Sequence, residues 1–195
     1  MINEKPPRGE QEFWRANTYQ LLARLLTGPP SQALVAQLAE IPLPGKEQGE
    51  DAIALAWGEL GEAARRAGET DLAEEYRALF DEEGGLLIPY ASWYMAGERN
   101  AKPLNLLRVE LAGLGLEKLG DVTEDHAGAL CTTMRVLIES DDPRQIGFFS
   151  RHLKPWLPAF FHDLRLARIA GFYRPVGSLG EAFIEVERIF LRETY

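Results

Sequence analysis

The sequence predicts an all-α fold, a single globular helical domain over residues 1–195 with about eight to ten helices. Three observations predict it. Apolar residues recur three and four positions apart through nearly the whole of the 195-residue chain, the period of a helix with one buried face. No run alternates apolar and polar residues as a half-buried strand would. Pro, Gly and capping residues interrupt the pattern at helix-length intervals.

The elements follow in order. Trp14, Thr18, Leu21, Leu22, Leu25 and Leu26 share one face of a first helix, which Gly28-Pro29-Pro30 ends. A short helix over 32–40 precedes a Pro- and Gly-rich break at 42–49. Ile53, Ala56, Trp57, Leu60, Ala63 and Ala64 make the stripe of a third helix, ending near Gly68. Asp71 is placed to cap a fourth helix carrying Leu72, Tyr76, Leu79 and Phe80, with Glu74 in position to reciprocate. That helix runs into Leu-Ile-Pro-Tyr-Ala-Ser-Trp-Tyr at 87–94, an apolar, aromatic segment that Pro89 prevents from continuing it. So much apolar surface in an irregular connection has to be covered, by the rest of the fold or by a partner. The connection over 84–102 is also long enough to act as a hinge, so a monomer and a domain-swapped homodimer are both compatible with the sequence.

Pro103 suits the first turn of a helix bearing Leu104, Leu107, Leu111 and Leu114, after which Gly113, Gly115 and Gly120 loosen the chain. Thr123 fits an N-cap, with Glu124 and Asp125 in the positive first turn of a helix through Leu130, Met134 and Leu137. Pro143 opens an aromatic-rich stretch with Phe148, Phe149, Trp156, Phe160 and Phe161, and Pro155 and Pro158 should break or kink it. Ser178-Leu179-Gly180-Glu181 has the form of a capping box for the last helix, whose stripe reads Leu179, Phe183, Val186 and Phe190.

Composition narrows the function. Twenty-one basic residues stand against 30 acidic ones, net −9, with no Lys/Arg cluster. That argues against nucleic acid, where basic groups supply most of the affinity, and leaves a basic partner open. The single cysteine, Cys131, excludes an intrachain disulfide and a thiolate metal site, and its neighbours Leu130 and Met134 place it as an inert core thiol. Residues 1–11 are polar and lack the apolar stretch of a secretory signal. No segment approaches the roughly 20 apolar residues that span a bilayer. The expected compartment is the cytoplasm.

Chemistry has few footholds. Adjacent Asp and His, as at Asp125-His126, can ligate a metal. The helical metal-hydrolase arrangement needs an earlier His, however, and His126 is the first histidine in the chain. His152 and His162 form no HExxH-like spacing. The alternative reading is that Asp125 sits where a helix dipole favours it and His126 is merely the next residue. Gly84-Gly85 lacks the Lys-Ser/Thr of a phosphate loop, and no base is identifiable for Ser92. Glu181, Glu185 and Glu187 read as a solvated helix face, Arg65-Arg66 as surface charge, and the aromatics of 148–161 as core. No catalytic residue, metal or cofactor is expected.

Five segments in order carry a resemblance: Tyr76-x-x-Leu79-Phe80, Pro89-Tyr90-x-Ser92-x-Tyr94, Asp125-His126, Phe149-x-x-His152-Leu153-x-Pro155-Trp156, and Phe172-Tyr173. On an all-helical chain of this length they resemble the TorD/DmsD/NarJ-type redox-enzyme maturation chaperones, from about Trp14 to the C-terminus. The resemblance implies a cytoplasmic chaperone that performs no turnover. Its partner would be the precursor of a molybdenum-cofactor oxidoreductase, bound through its N-terminal, often twin-arginine, signal region until cofactor is inserted. The family's Glu-Pro-x-Asp-His motif falls on Val122-Thr123-Glu124-Asp125-His126, where the Asp and His match and the Glu and Pro do not. Thr123 can open the helix in place of the Pro, whereas Val122 in place of the Glu alters the client contact and marks a divergent branch.

The resemblance implies a client-binding set of Tyr90, Ser92, Trp93, Tyr94, Glu124, Asp125 and His126. Burying one Leu or Phe of a client yields roughly 1.5–3 kcal/mol, an exposed Arg–carboxylate pair about 0–1 kcal/mol. The apolar part of the client should therefore supply affinity, and Glu124 and Asp125 orientation. Two other readings remain: a NarJ-like assembly adaptor for a reductase subunit that is not exported, and a small metal- or nucleotide-dependent helical enzyme.

Overall fold

Helix α1 (Arg8–Leu26) turns Tyr19, Leu22, Leu25 and Leu26 inward, all four fully buried. The computed structural model describes residues 8–43, 51–67, 72–81, 83–99, 102–116 and 122–193; the expected cap Asp71 and most of the break at 42–49 lie outside them. Helices α2 (Gln32–Ala39), α3 (Ala52–Arg66) and α4 (Leu72–Phe80) follow. Then come α5 (Ala91–Ala96), α6 (Lys102–Leu114), α7 (Ala127–Glu139) and α8 (Gln145–Phe148). A π-helical stretch (Phe149–Leu153), α9 (Leu157–Leu166) and α10 (Tyr173–Glu193) complete the chain. Among the described residues there is no strand, and the fold is all-α as the periodicity predicts.

The buried residues form one contiguous core. Helix α1 packs chiefly on α7, and α10 on α9 and α3. Close approach is possible because glycines face the partner helix. A Cβ on Gly128 of α7 would meet Thr27 Cγ2 at 2.5 Å, and one on Gly180 of α10 would lie 2.2 Å from the Phe161 ring of α9. The aromatics read as core are core: Phe148, Phe149, Trp156, Phe160 and Phe161 are fully buried. Each contributes roughly 1.5–3 kcal/mol by leaving water. Pro155 and Pro158 interrupt this segment as expected, with a turn at 154–156 and Pro158 in the first turn of α9.

Most of the motif residues are struts of this core. Tyr76 and Tyr173 donate their hydroxyls to Leu26 O and Leu25 O at 3.0 Å each, satisfying carbonyls that the end of α1 leaves unpaired. Trp156 Nε1 donates to His152 O at 2.7 Å across the π-helical stretch. Arg65, read as surface charge, is exposed, but it also donates to Ala39 O and Ile41 O where α2 ends.

Four expectations are corrected. Helix α10 begins at Tyr173, five residues before the capping box, and Ser178 lies inside it. Its start is held instead by Glu75 of α4, whose carboxylate accepts from the N–H groups of Gly171, Phe172 and Tyr173 at 2.8, 3.1 and 2.9 Å; Pro175, in the first turn, has no N–H to leave orphaned. The buried stripe of α10 runs through Val176, Leu179, Phe183, Ile184, Glu187 and Leu191, so Glu187 is no solvated acid but fully buried. Thr123 does not cap α7: His126 does, its Nδ1 accepting from Gly128 N–H at 3.1 Å. And the apolar connection is not irregular throughout, since 91–96 forms α5, closed by Gly97 at φ 76°, a left-handed position glycine adopts without strain.

Cys131 is fully buried, and burial pushes its thiol pKa far up. Native protein is therefore expected to react with thiol reagents only as fast as it unfolds. Labelling at the rate of a free thiol, measured by mass spectrometry, would contradict this placement.

Candidate functional site

Two segments distant in sequence are stitched side by side. Ala91 N–H donates to Asp125 O at 2.9 Å and Ala127 N–H to Pro89 O at 2.8 Å. Tyr90 and His126 thereby face each other as an isolated antiparallel bridge, their rings T-shaped with centroids 4.9 Å apart. Asp125 closes the stitch. Its Oδ2 accepts from Ser92 N–H at 3.0 Å and from the Ser92 hydroxyl at 2.5 Å, and its Oδ1 from the Thr123 hydroxyl at 3.0 Å. Tyr90, Ser92, Asp125 and His126 are all buried. A buried carboxylate is tolerated because three donors replace its water.

Beside the stitch lies a groove of about 630 Å³ between α5, α6, the start of α7 and the π-helical stretch. Its wall is apolar: Ala91, Met95, Leu106, Leu107, Val109 and Leu130. Val109 is 75% and Leu106 57% exposed, and Met95 is exposed beside them, so large side chains stand uncovered in a concavity. Isolated exposed leucines are ordinary; a contiguous apolar concavity marks a binding surface.

The charges at the rim are engaged. Glu110 accepts from Arg151 Nε at 3.0 Å and Nη2 at 2.5 Å, and shares a 2.8 Å hydrogen bond with His152 Nε2. The Arg151 guanidinium, with help from His152, holds the Glu110 carboxyl below the usual carboxylate range. Glu124 takes two hydrogen bonds from Arg108, at 3.1 and 3.0 Å. Lys102 stands exposed at one end. Among the described residues no three His, Cys, Asp or Glu side chains are grouped as a metal ion would require.

Comparison decides the class. The family model described as nitrate reductase delta subunit matches residues 46–162, more than half of the chain. The chain belongs to this delta subunit family. The family comprises redox-enzyme maturation proteins of the NarJ/TorD type, assembly chaperones of molybdoenzymes rather than enzymes. The matched span contains every residue of the groove and of the stitch. No individual curated protein matches the chain. No described helix is long and apolar enough to cross a membrane.

Within this delta-family chain, the seven residues expected to bind client fall into three groups. Tyr90, Ser92, Asp125 and His126 come together as the stitch, and of these only Asp125 lies along the groove wall. Glu124, next to the stitch, is half-buried against Arg108. Trp93 is exposed on α5, and half-buried Tyr94 stacks near Trp156 and Phe160 with its hydroxyl on Asp163 at 2.9 Å, away from the groove lining. Sequence reasoning passed over Met95, Leu106 and Val109. Their signal was present: Leu106 and Val109 are large apolar residues off the Leu104–Leu107–Leu111 stripe, on the face of α6 that should have been polar.

Proposed function

We propose that the groove receives an apolar, helix-forming segment from the N-terminal region of a molybdenum-cofactor oxidoreductase subunit, and shelters it in the cytoplasm until the cofactor is in place. The observation that carries this reading is the uncovered trio Met95, Leu106 and Val109 in a groove beside a buried, hydrogen-bonded stitch. A helix laid in a groove supplies its affinity through apolar anchors at i, i+3, i+4 and i+7. Tyr90, Ser92, Asp125 and His126 hold the stitch beside the groove in shape, with Glu124 next to it, while Trp93 and Tyr94 lie off the groove lining. No bond is made or broken; a covered segment is withheld from export and from misassembly by occupancy alone.

A second reading, assembly of a subunit that carries no export signal, is favoured by one observation. Asp125, Glu110 and Glu124 are each bonded within the protein, so none is free to greet a pair of arginines without first losing a partner. Calorimetric titration with N-terminal peptides of molybdoenzyme subunits from the same genome separates the two. Leu106→Glu or Val109→Glu, both at exposed positions, should leave the thermal midpoint unchanged and weaken peptide binding by roughly tenfold to a hundredfold. Replacing paired arginines of a signal peptide by lysine should weaken it less than removing its apolar stretch. Undiminished binding by both groove variants would place the site elsewhere. A peptide lacking arginines that binds as well as one carrying them would favour the second reading.

A further inference from the structure

A second concavity, sharing no residue with the first, lies between α3 and the turn joining α9 to α10. Its volume is about 1120 Å³, room for the contacting face of about two turns of helix. Four large apolar side chains stand uncovered in its wall: Leu43, Leu55, Leu166 and Ile169, the last two 58% and 50% exposed. Arg66, Arg168 and Arg174 surround them, all exposed.

The charges in this hollow do not cancel in place. Glu75 is spent on the three backbone N–H groups that start α10. Glu62 is bonded to Arg65 and lies 4.0 Å from Arg66, and Arg165 is bonded to Glu181. Among the described residues Arg168 and Arg174 have no ion-pair partner, and of the lining carboxylates Glu59 and Glu75 have none either, so the four lining arginines outnumber the three lining carboxylates. A chain of net charge −9 thus presents, around an apolar trough, a rim whose surplus is positive. Such a rim steers an acidic partner and repels a basic one.

We infer that this hollow is a second docking surface, fitted to an amphipathic helix of a partner protein whose apolar stripe is flanked by Asp or Glu. The stripe would seat on Leu55, Leu166 and Ile169, and the acids would meet Arg168 and Arg174. The surface is independent of the first groove, so the two could be occupied together.

The test uses the full chain and two synthetic helical peptides of about 18 residues sharing one Leu/Ile stripe, flanked by Glu in one and by Lys in the other. Fluorescence anisotropy should show the Glu peptide binding, more weakly as salt rises, and the Lys peptide at least about tenfold weaker. Arg168→Glu with Arg174→Glu should cost the Glu peptide about tenfold at unchanged thermal midpoint, and Ile169→Glu should abolish binding. Leu106→Glu, in the first groove, should leave this binding as it was. The proposal is overturned by absent binding, by equal binding of both peptides, or by indifference to the arginine reversal. It is equally overturned if sedimentation shows the chain self-associating through this face and Ile169→Glu dissolving the dimer, since the occupant is then a second copy.

Discussion

Arg15→Ala is expected to lower the free energy of unfolding by about 3–5 kcal/mol, the range for stripping one partner from a buried ion pair. Arg15 and Glu187 are 172 positions apart and both fully buried. Arg15 Nε donates to Glu187 Oε1 at 2.5 Å, and its Nη2 to Glu187 Oε2 at 2.9 Å and to Gln145 Oε1 at 3.0 Å. Tyr19 adds its hydroxyl to Glu187 Oε2 at 3.1 Å, and burial with the neighbouring carboxylate keeps that phenol protonated by raising its pKa. The guanidinium carbon lies 4.3 Å from the Phe190 ring centroid. One network therefore ties α1, α8 and α10 together, and removing the cation leaves a carboxylate in a medium that cannot solvate it. Domains of this size hold only about 5–15 kcal/mol in total, so a third or more of the stability is at stake. The matched pair Arg15→Met with Glu187→Leu should recover part of the loss, because two apolar side chains need no partners, while the Tyr19 hydroxyl and Gln145 Oε1 still lose theirs. Urea denaturation of both single variants and the double variant measures this. An Arg15→Ala variant within 1 kcal/mol of the parent would mean that water reaches Glu187.

Asp125→Ala is the second large effect expected, about 2–4 kcal/mol, since the buried Ser92 N–H and hydroxyl would lose their acceptor together. Peptide binding in the first groove should fall with it, because Met95 of α5 is positioned through the stitch. Asp125→Asn separates geometry from charge. An amide oxygen still accepts from Ser92, and the Thr123 hydroxyl can rotate to accept from the amide nitrogen. Asparagine should therefore keep the fold, with weaker bonds because the acceptor is no longer ionised. Binding should stay within a few-fold of the parent if Asp125 acts by position. A folded Asp125→Asn protein that no longer binds would show instead that the client reads the negative charge itself.

These two residues mark what was readable in advance. Asp125 stood out by its place in a motif, and its burial was compatible with a helix-start reading, but its three donors come from positions 92 and 123, and no spacing rule links 92 to 125. Glu187 lay four residues after Phe183, on the very stripe that had to be buried. An acid there demands a cation, yet nothing local to α10 points to Arg15. The same holds for the start of α10. Ser178-Leu179-Gly180-Glu181 satisfies the local rule for a helix start, and Glu75, distant in sequence, supplied the acceptor that moved the start back to Tyr173. Local capping preferences, worth about 0.5–2 kcal/mol, yield to a carboxylate that satisfies three backbone donors at once.

Helix class, approximate number and the bounds of helices such as α2, α3 and α6 were settled by sequence alone, because a 3.6-residue period and proline or glycine breaks act within one turn of the chain. Family membership was legible for a related reason: the motif aromatics Phe80, Trp156 and Tyr173 are core residues, with Tyr76 packed against them, and their order along the chain is their signature. Only the tertiary structure decided which uncovered apolar residues line a groove. Leu104 and Leu106 are the same side chain two positions apart, one sealed in the core and the other lining a groove. The helical stripe already sets Leu106 on the outer face of α6; that this face borders a groove depends on how α5, α7 and the π-helical stretch lie beside it, a relation between distant elements that no local pattern encodes.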